Sequence, residues 1–104
     1  MKKSFKIQIG YDKYIGISKK DLPNAYYSFI NETKMITSDG IAIRGKDIIS
    51  IEPDWNNILG YNTGYKINER EIENKYIEKA REIMLKAKNV ANKTLKENNV
   101  KLLN

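Results

Sequence analysis

Ile41-Ala42-Ile43-Arg44-Gly45-Lys46-Asp47-Ile48-Ile49-Ser50-Ile51-Glu52-Pro53-Asp54-Trp55 is the densest run of β-branched apolar residues in the chain. Ile41 and Ile43 alternate with Ala42 and Arg44, and Ile49 and Ile51 alternate with Ser50 and Glu52. A period of two is the pattern of strands that bury one face. Gly45-Lys46-Asp47 separates the two runs and offers the backbone freedom of a tight hairpin. Just upstream, Ser38-Asp39-Gly40 contains Asp-Gly, a strong hairpin signal. The stretch therefore reads as the last two of three short antiparallel strands, Met35 to Thr37, Ile41 to Arg44 and Ile48 to Glu52. Pro53 has no N–H to give to a ladder and ends the third.

Upstream, Phe5, Ile7 and Ile9 alternate with Lys6 and Gln8 in a first strand. Gly10-Tyr11-Asp12-Lys13 is a turn, and Ile15 and Ile17 continue the alternation in a second strand. Ser18-Lys19-Lys20-Asp21 matches a capping box, but Pro23 fits better if Asp21 is the cap and Pro23 lies in the first turn. Leu22, Ala25, Tyr26, Phe29 and Ile30 then share a helical face. The order is ββαβββ. The expected core is Phe5, Ile7, Ile9, Ile15, Ile17, Leu22, Tyr26, Phe29, Ile41, Ile43, Ile49 and Ile51.

Downstream, residues 56–68 form an Asn-, Gly- and Tyr-rich loop, read as structured because it carries Ile58, Leu59, Tyr61 and Tyr65. Asn68 is a good N-cap, and Glu69, Glu71 and Glu73 suit the positive end of a following helix. Ile72, Tyr76, Ala80, Ile83, Met84, Ala87, Val90, Ala91 and Leu95 make its stripe, with Asn98-Asn99 as its end. Such a helix, about 28 residues within 69–98, is roughly 42 Å long, against roughly 25 Å for the rest of the domain. Its far half, from Ile83 to Leu95, calls for cover, and the sequence predicts a homodimer through this C-terminal helix. The fold class is α+β: a small antiparallel sheet of about five strands, one inserted helix and a long C-terminal helix, in one domain spanning 1–104, with 1–55 as its sheet-plus-helix part.

At 104 residues the chain makes one modest core. It has no apolar run long enough to span a membrane, and its start lacks the apolar stretch of a signal peptide. The expected setting is cytoplasmic. Cysteine and histidine are absent, which removes disulfides, thiolate metal sites, the commonest metal ligand and the commonest general base. No cofactor and no bound transition metal are expected. The net charge is +6, which suits a polyanion. Yet lysine (16), isoleucine (16) and asparagine (12) abound while arginine numbers 3, the bias an AT-rich genome gives any protein. Arginine is the preferred reader of phosphate and guanine.

Three constellations carry possible function, each beside a structural reading. Glu52 and Asp54 flank Pro53, either a cation or acid–base pair, or a soluble strand end that caps the next turn. Trp55, Asn57, Tyr61 and Tyr65, with Arg44 near, form a candidate partner-binding surface, or rings that close the core under the long helix. The aromatic cluster also suits base stacking. Lys86, Lys88, Lys93 and Lys96 are a candidate polyanion-binding face, or an ordinary solvated helix face. Gly60-x-x-x-Gly64 lacks the Gly-Lys-Ser/Thr of a phosphate loop, and no Ser, Tyr or Lys has a partner for nucleophilic catalysis.

Ile48-Ile49-Ser50-Ile51-Glu52-Pro53-Asp54-Trp55, with Gly60-Tyr61-Asn62 after it, resembles a segment of small uncharacterised proteins from phages and prophages of low-G+C Gram-positive bacteria. The resemblance covers residues 5–66 and leaves out the C-terminal helix. It implies a mobile-element origin, with no activity and no site residues attached. The expected function is a non-catalytic binding module, a phage- or prophage-encoded accessory protein that engages a host or phage protein. A small basic nucleic-acid-binding protein is the alternative.

Overall fold

The computed structural model describes residues 2–62 and 64–103, with side chains as far as residue 94. The elements follow the order β1 (Phe5–Gly10), β2 (Lys13–Ile17), α1 (Leu22–Asn31), β3 (Lys34–Ile36), β4 (Ala42–Arg44), β5 (Ser50–Pro53), α2 (Trp55–Leu59) and α3 (Asn74–Leu103). The fold is α+β, as the alternation and the helical stripes predict. No helix among the described residues is long and apolar enough to cross a membrane.

The strands divide into two sheets, a three-stranded one in the order β2-β1-β5 and a two-stranded one, β3-β4. All pairings are antiparallel. This corrects the hairpin expected at Gly45-Lys46-Asp47. That tripeptide is a 3-10 turn that carries the chain out of one sheet and into the other. The reason is a close approach. The Gly45 N–H donates to the Thr33 carbonyl at 2.8 Å, and a Cβ on Gly45 would collide with the carbonyls of Ser28 and Thr33. Pinned beneath α1, the chain does not turn back beside β4. It runs on to β1, where Ile51 faces Ile7 and Pro53 faces Phe5.

The crossing also changes which isoleucine is buried. Ile48, next after the turn, is in the core, while Ile49 is 57% exposed. The Ile49 N–H donates to the Gln8 carbonyl at 2.8 Å, although Gln8 faces Ser50 in the ladder. Two β5-side residues thus oppose one, and such a bulge turns a side chain to the other face. Ile41, outside β4, and Phe29, in the last turn of α1, are also exposed rather than core. At that turn α1 buries Ser28, on the side where its carbonyl meets Gly45. Ile9, Ile15 and Ile51 are half-buried against the core, and the other expected core residues are buried.

α1 starts where Asp21 and Pro23 predict. The Asp21 carboxylate does not cap it. It is buried and accepts from the Ser38 backbone N–H and hydroxyl, the latter at 2.7 Å, tying the start of α1 to the β3–β4 turn. Glu32 closes α1 in a left-handed conformation, φ 53°, where glycine is usual.

α3 begins five residues later than the sequence suggests. Asn68 does accept a backbone N–H, from Arg70 at 3.1 Å, but it caps only a 3-10 turn, Glu69–Glu71. Ile72 is then extended and buried, so the chain leaves the helical path to seat its side chain. Asn98 and Asn99 do not end α3, which runs to Leu103. Asparagine is only a mediocre helix former, and neither glycine nor proline stands there to stop the helix. α3 spans about 45 Å, and the molecule measures 51 × 26 × 23 Å.

α3 packs along α1. Ala80, Ala87 and Ala91 are buried, and the last two join the same apolar cluster as Ala25 and Tyr26. Small side chains on both helices allow close approach. Ile83, Met84, Ala87 and Ala91 of the far half are thus covered at least in part by their own chain, while Val90 stays 51% exposed. Leu95 lies outside the described side chains. Tyr26 is buried under this seam, its hydroxyl without a hydrogen-bond partner among the described residues, and Lys88 Nζ lies 5.4 Å from its ring centroid.

Gly45→Ala is expected to destabilise the fold by about 3 kcal/mol or more, because the methyl must displace backbone, whereas Ile49→Ala should cost under about 0.5 kcal/mol. Urea unfolding of the two variants checks the two-sheet path. A single five-stranded sheet would reverse their order.

Burial raises the Tyr26 pKa above its ordinary value. The folded state therefore holds the neutral phenol more firmly than the unfolded chain does. That stability is complete below the unfolded pKa of about 10 and is lost as pH rises through the higher folded value. Tyr26→Phe should abolish this alkaline loss and leave neutral-pH stability unchanged or higher, by up to about 1 kcal/mol. Denaturation at pH 7 and above about pH 10 measures both. A neutral-pH loss beyond that would show that the hydroxyl is bonded.

Candidate functional site

The site grows from the end of β5. The Asp54 N–H donates to the Ser4 carbonyl at 2.9 Å, which fixes the strand end. The Asp54 side chain caps α2 by accepting the Asn57 N–H at 3.3 Å. The carboxylate pair around Pro53 therefore has its structural role: Asp54 caps, and Glu52 pairs with Lys6 at 3.6 Å. Gly60 ends α2 in the left-handed region, φ 77°, which glycine tolerates best.

Trp55, first residue of α2, is half-buried where the sheet end, α2 and the early turns of α3 converge. It borders three openings. Two, of about 270 Å³ each, lie against α3: one with Ile72, Ala80 and Met84, the other with Phe5, Ile58 and Ile83. The third, about 550 Å³, opens over the outer face of the sheet and is lined by Lys6, Tyr14, Glu52, Pro53, Trp55, Asn56, Tyr65, Lys66, Ile67 and Glu69.

The loop beyond α2 is tied by the Asn56 side chain and by two backbone bonds, Tyr61 N–H to the Asn56 carbonyl and Tyr65 N–H to the Asn62 carbonyl, both at 2.9 Å. Asn56 Nδ2 donates to the Asn62 carbonyl at 2.6 Å and to the Tyr65 carbonyl at 2.8 Å. Thr63 lies outside the described residues. Tyr61 and Tyr65 stack with centroids 5.2 Å apart and planes at 25°, and they are 53% and 54% exposed. Closing the core describes Trp55 but not these two rings.

Of the expected partner-binding residues, Trp55, Tyr61 and Tyr65 come together. Asn57 is exposed on α2 beside them and contributes its backbone N–H to the cap. Arg44 does not line the cavity. It belongs to the other sheet, where Nε bonds Asp47 at 2.7 Å. Spacing along the sequence brought it near, and the turn at Gly45 takes it away. The sequence reading missed Lys6 and Tyr14. Lys6 lies 4.7 Å from the Tyr14 ring centroid and faces Glu52 across the ladder. Strand alternation alone puts Lys6 on the polar face, so only the β1–β5 pairing was lacking. The cavity has two lysines against two glutamates, and aromatic walls.

The three described lysines of the expected polyanion face do not all share one face. Lys86 is engaged by Glu82 at 3.1 Å. Lys93 is exposed and, seven residues on, shares its face. Lys88 sits on the Tyr26 ring at the α1–α3 seam, well round the helix from both. Lys96 lies outside the described side chains. No family model, curated protein or solved structure matches the chain.

Asn56→Ala should loosen residues 60–62 and 64–66 while leaving the sheet intact, since the two bonds it removes join only the loop to α2. Amide exchange there is expected to accelerate about tenfold, the equivalent of about 1.4 kcal/mol. Unchanged protection would show that tyrosine stacking, rather than Asn56, holds the loop.

Proposed function

We propose that the chain is a non-catalytic binding module whose partner is a protein, held by the aromatic surface of Trp55, Tyr61 and Tyr65. One observation carries the reading. A stacked tyrosine pair stands more than half exposed on a loop that Asn56 ties to α2 at two carbonyls. Tyr and Trp supply large contact area with few rotatable bonds, and a loop already ordered loses little entropy on binding. The adjoining cavity, with balanced charge and aromatic walls, suits a protein side chain better than a polyanion. The split of the α3 lysines weakens the nucleic-acid alternative further. A cytoplasmic phage- or prophage-encoded accessory protein that engages a host or phage protein is the setting that the resemblance of residues 5–66 implies. A homodimer through the C-terminal helix, over the part of its stripe that Val90 leaves exposed, belongs to the same proposal, and light scattering tests it.

The experiment compares the immobilised chain with its Tyr61→Ala/Tyr65→Ala variant in a nuclease-treated lysate of a low-G+C Gram-positive host at about 0.5 M salt, where exposed charges are screened. The expected outcome is a retained protein whose recovery falls at least about tenfold with the variant. Equal recovery would reject the aromatic surface as the site. Retention seen only at low salt without nuclease would favour nucleic acid.

A further inference from the structure

The two-stranded sheet leaves one side of β3 open. Lys34 faces Arg44, Met35 faces Ile43 and Ile36 faces Ala42. At the flanks, the Gly45 N–H donates to the Thr33 carbonyl at 2.8 Å and the Thr37 N–H to the Ile41 carbonyl at 2.9 Å. These bonds set the parity of the ladder. Residues 33, 35 and 37 bond toward β4, so the N–H and C=O groups of Lys34 and Ile36 point the other way. Among the described residues, none of those four groups has a hydrogen-bond partner.

An opening of about 340 Å³ runs along that side. Its strand wall is Thr33, Lys34, Met35 and Ile36, with nothing from β4, and Asn24 and Ser28 of α1 form part of the facing wall. Ile36 beside it is 64% exposed. The corresponding side of β5 is guarded. The Asp54-to-Ser4 bond sets residues 50, 52 and 54 toward β1, so Pro53 turns outward a position with no N–H to offer, a usual edge defence. β3 carries no proline.

We propose that β3 is a docking edge for an extended segment of a partner protein, which adds to β3–β4 as a third strand. Unpaired main-chain groups call for an extended chain, since only a strand answers N–H and C=O groups in alternation. Lys34 and Ile36 share the outer face, so the segment has a carboxylate opposite Lys34 and an apolar side chain opposite Ile36, two positions apart. The residue between them turns toward α1 and into the cleft, next to Met35. A second copy fits less well: in a symmetric pairing centred on Met35, Lys34 stands opposite Ile36 and meets no carboxylate. This edge lies on the smaller sheet and is independent of the aromatic surface.

The probe is a blocked peptide, Ser-Thr-Val-Ala-Glu-Thr-Ser, with a control N-methylated at Val and Glu so that neither can donate to the edge. Amide exchange is read residue by residue by NMR. In the free chain the Lys34 and Ile36 amides should exchange fast beside a protected Met35. Peptide at about millimolar concentration, where weak strand addition saturates, should slow both by about tenfold or more, and the methylated control should not. Ile36→Pro, whose lost N–H faces away from β4, should keep Met35 protected and lose the effect, while Ile36→Ala should retain it. Lys34→Glu should weaken it. Fast exchange persisting with peptide, equal action by the control, or an Ile36→Pro variant that still responds would each overturn the proposal. So would Lys34 and Ile36 amides already protected in a free chain of twice the 12.1 kDa mass, which would assign the edge to a second copy.

Discussion

The missing side chain of Gly45 is the constraint on which the rest depends. Its backbone passes so close to the carbonyls of Ser28 and Thr33 that any Cβ would collide. That approach locks β4 and the turn after it against the C-terminal turns of α1. It also steers the chain off one sheet and on to the other, delivering Ile48 to the core and β5 to the free side of β1. α1 consequently has two jobs. It supports the small sheet at one side and takes the alanine seam of α3 at another. The buried Asp21 carboxylate, bonded to Ser38, repeats the same connection from the opposite end of α1.

From that placement the aromatic site follows by short local steps. β5 ends at Pro53, Asp54 caps α2, and Trp55 is put where sheet, α2 and α3 meet. Glycine at the end of α2 turns the chain back, so that Asn56 reaches two carbonyls of the next loop. Each step uses a residue whose chemistry is local, and the product is an ordered pair of half-exposed rings. Beside it Lys6 is engaged by Glu52 and by the Tyr14 ring, and the cavity's two lysines are matched by two glutamates. What is left to recognise a partner is shape and aromatic surface more than net charge.

The strands, α1 and the apolar stripe of α3 were legible because they depend on periodicity, and periodicity is written in consecutive residues. Pro23, Asp54 and Asn68 were legible for a similar reason, since caps and first turns act within three or four positions. The pairing of β5 with β1 was not. Gly45 reads as a hairpin residue in sequence, and only the nearby Ser28 and Thr33 carbonyls reveal that it serves a close approach. The exposure of Ile49 follows from the bulge opposite Gln8, another non-local fact. At the site, Trp55, Tyr61 and Tyr65 were found from composition. Lys6 and Tyr14 were hidden because they come from strands far away in sequence, and Arg44 was wrongly drawn in by nearness along the chain. The lysines of α3 looked like one face because they cluster in sequence, but helical phase sends Lys88 to the seam with Tyr26.

The central position of β1 has a consequence for how the molecule comes to exist. During synthesis β1 emerges before β5, and β2 can cover one of its sides at once. Its other side, where Lys6 and Gln8 await Glu52 and Ser50, stays unfilled until β5, some forty residues further on, has followed. A two-stranded ribbon is barely stable alone, so the larger sheet cannot act as an early template. Helical segments form in about a microsecond, whereas joining Ile7 to Ile51 needs a long loop to close first. Loop-closure entropy makes such a long-range pairing slower than local structure, and until it forms the apolar face of the β1–β2 ribbon has no β5 beside it.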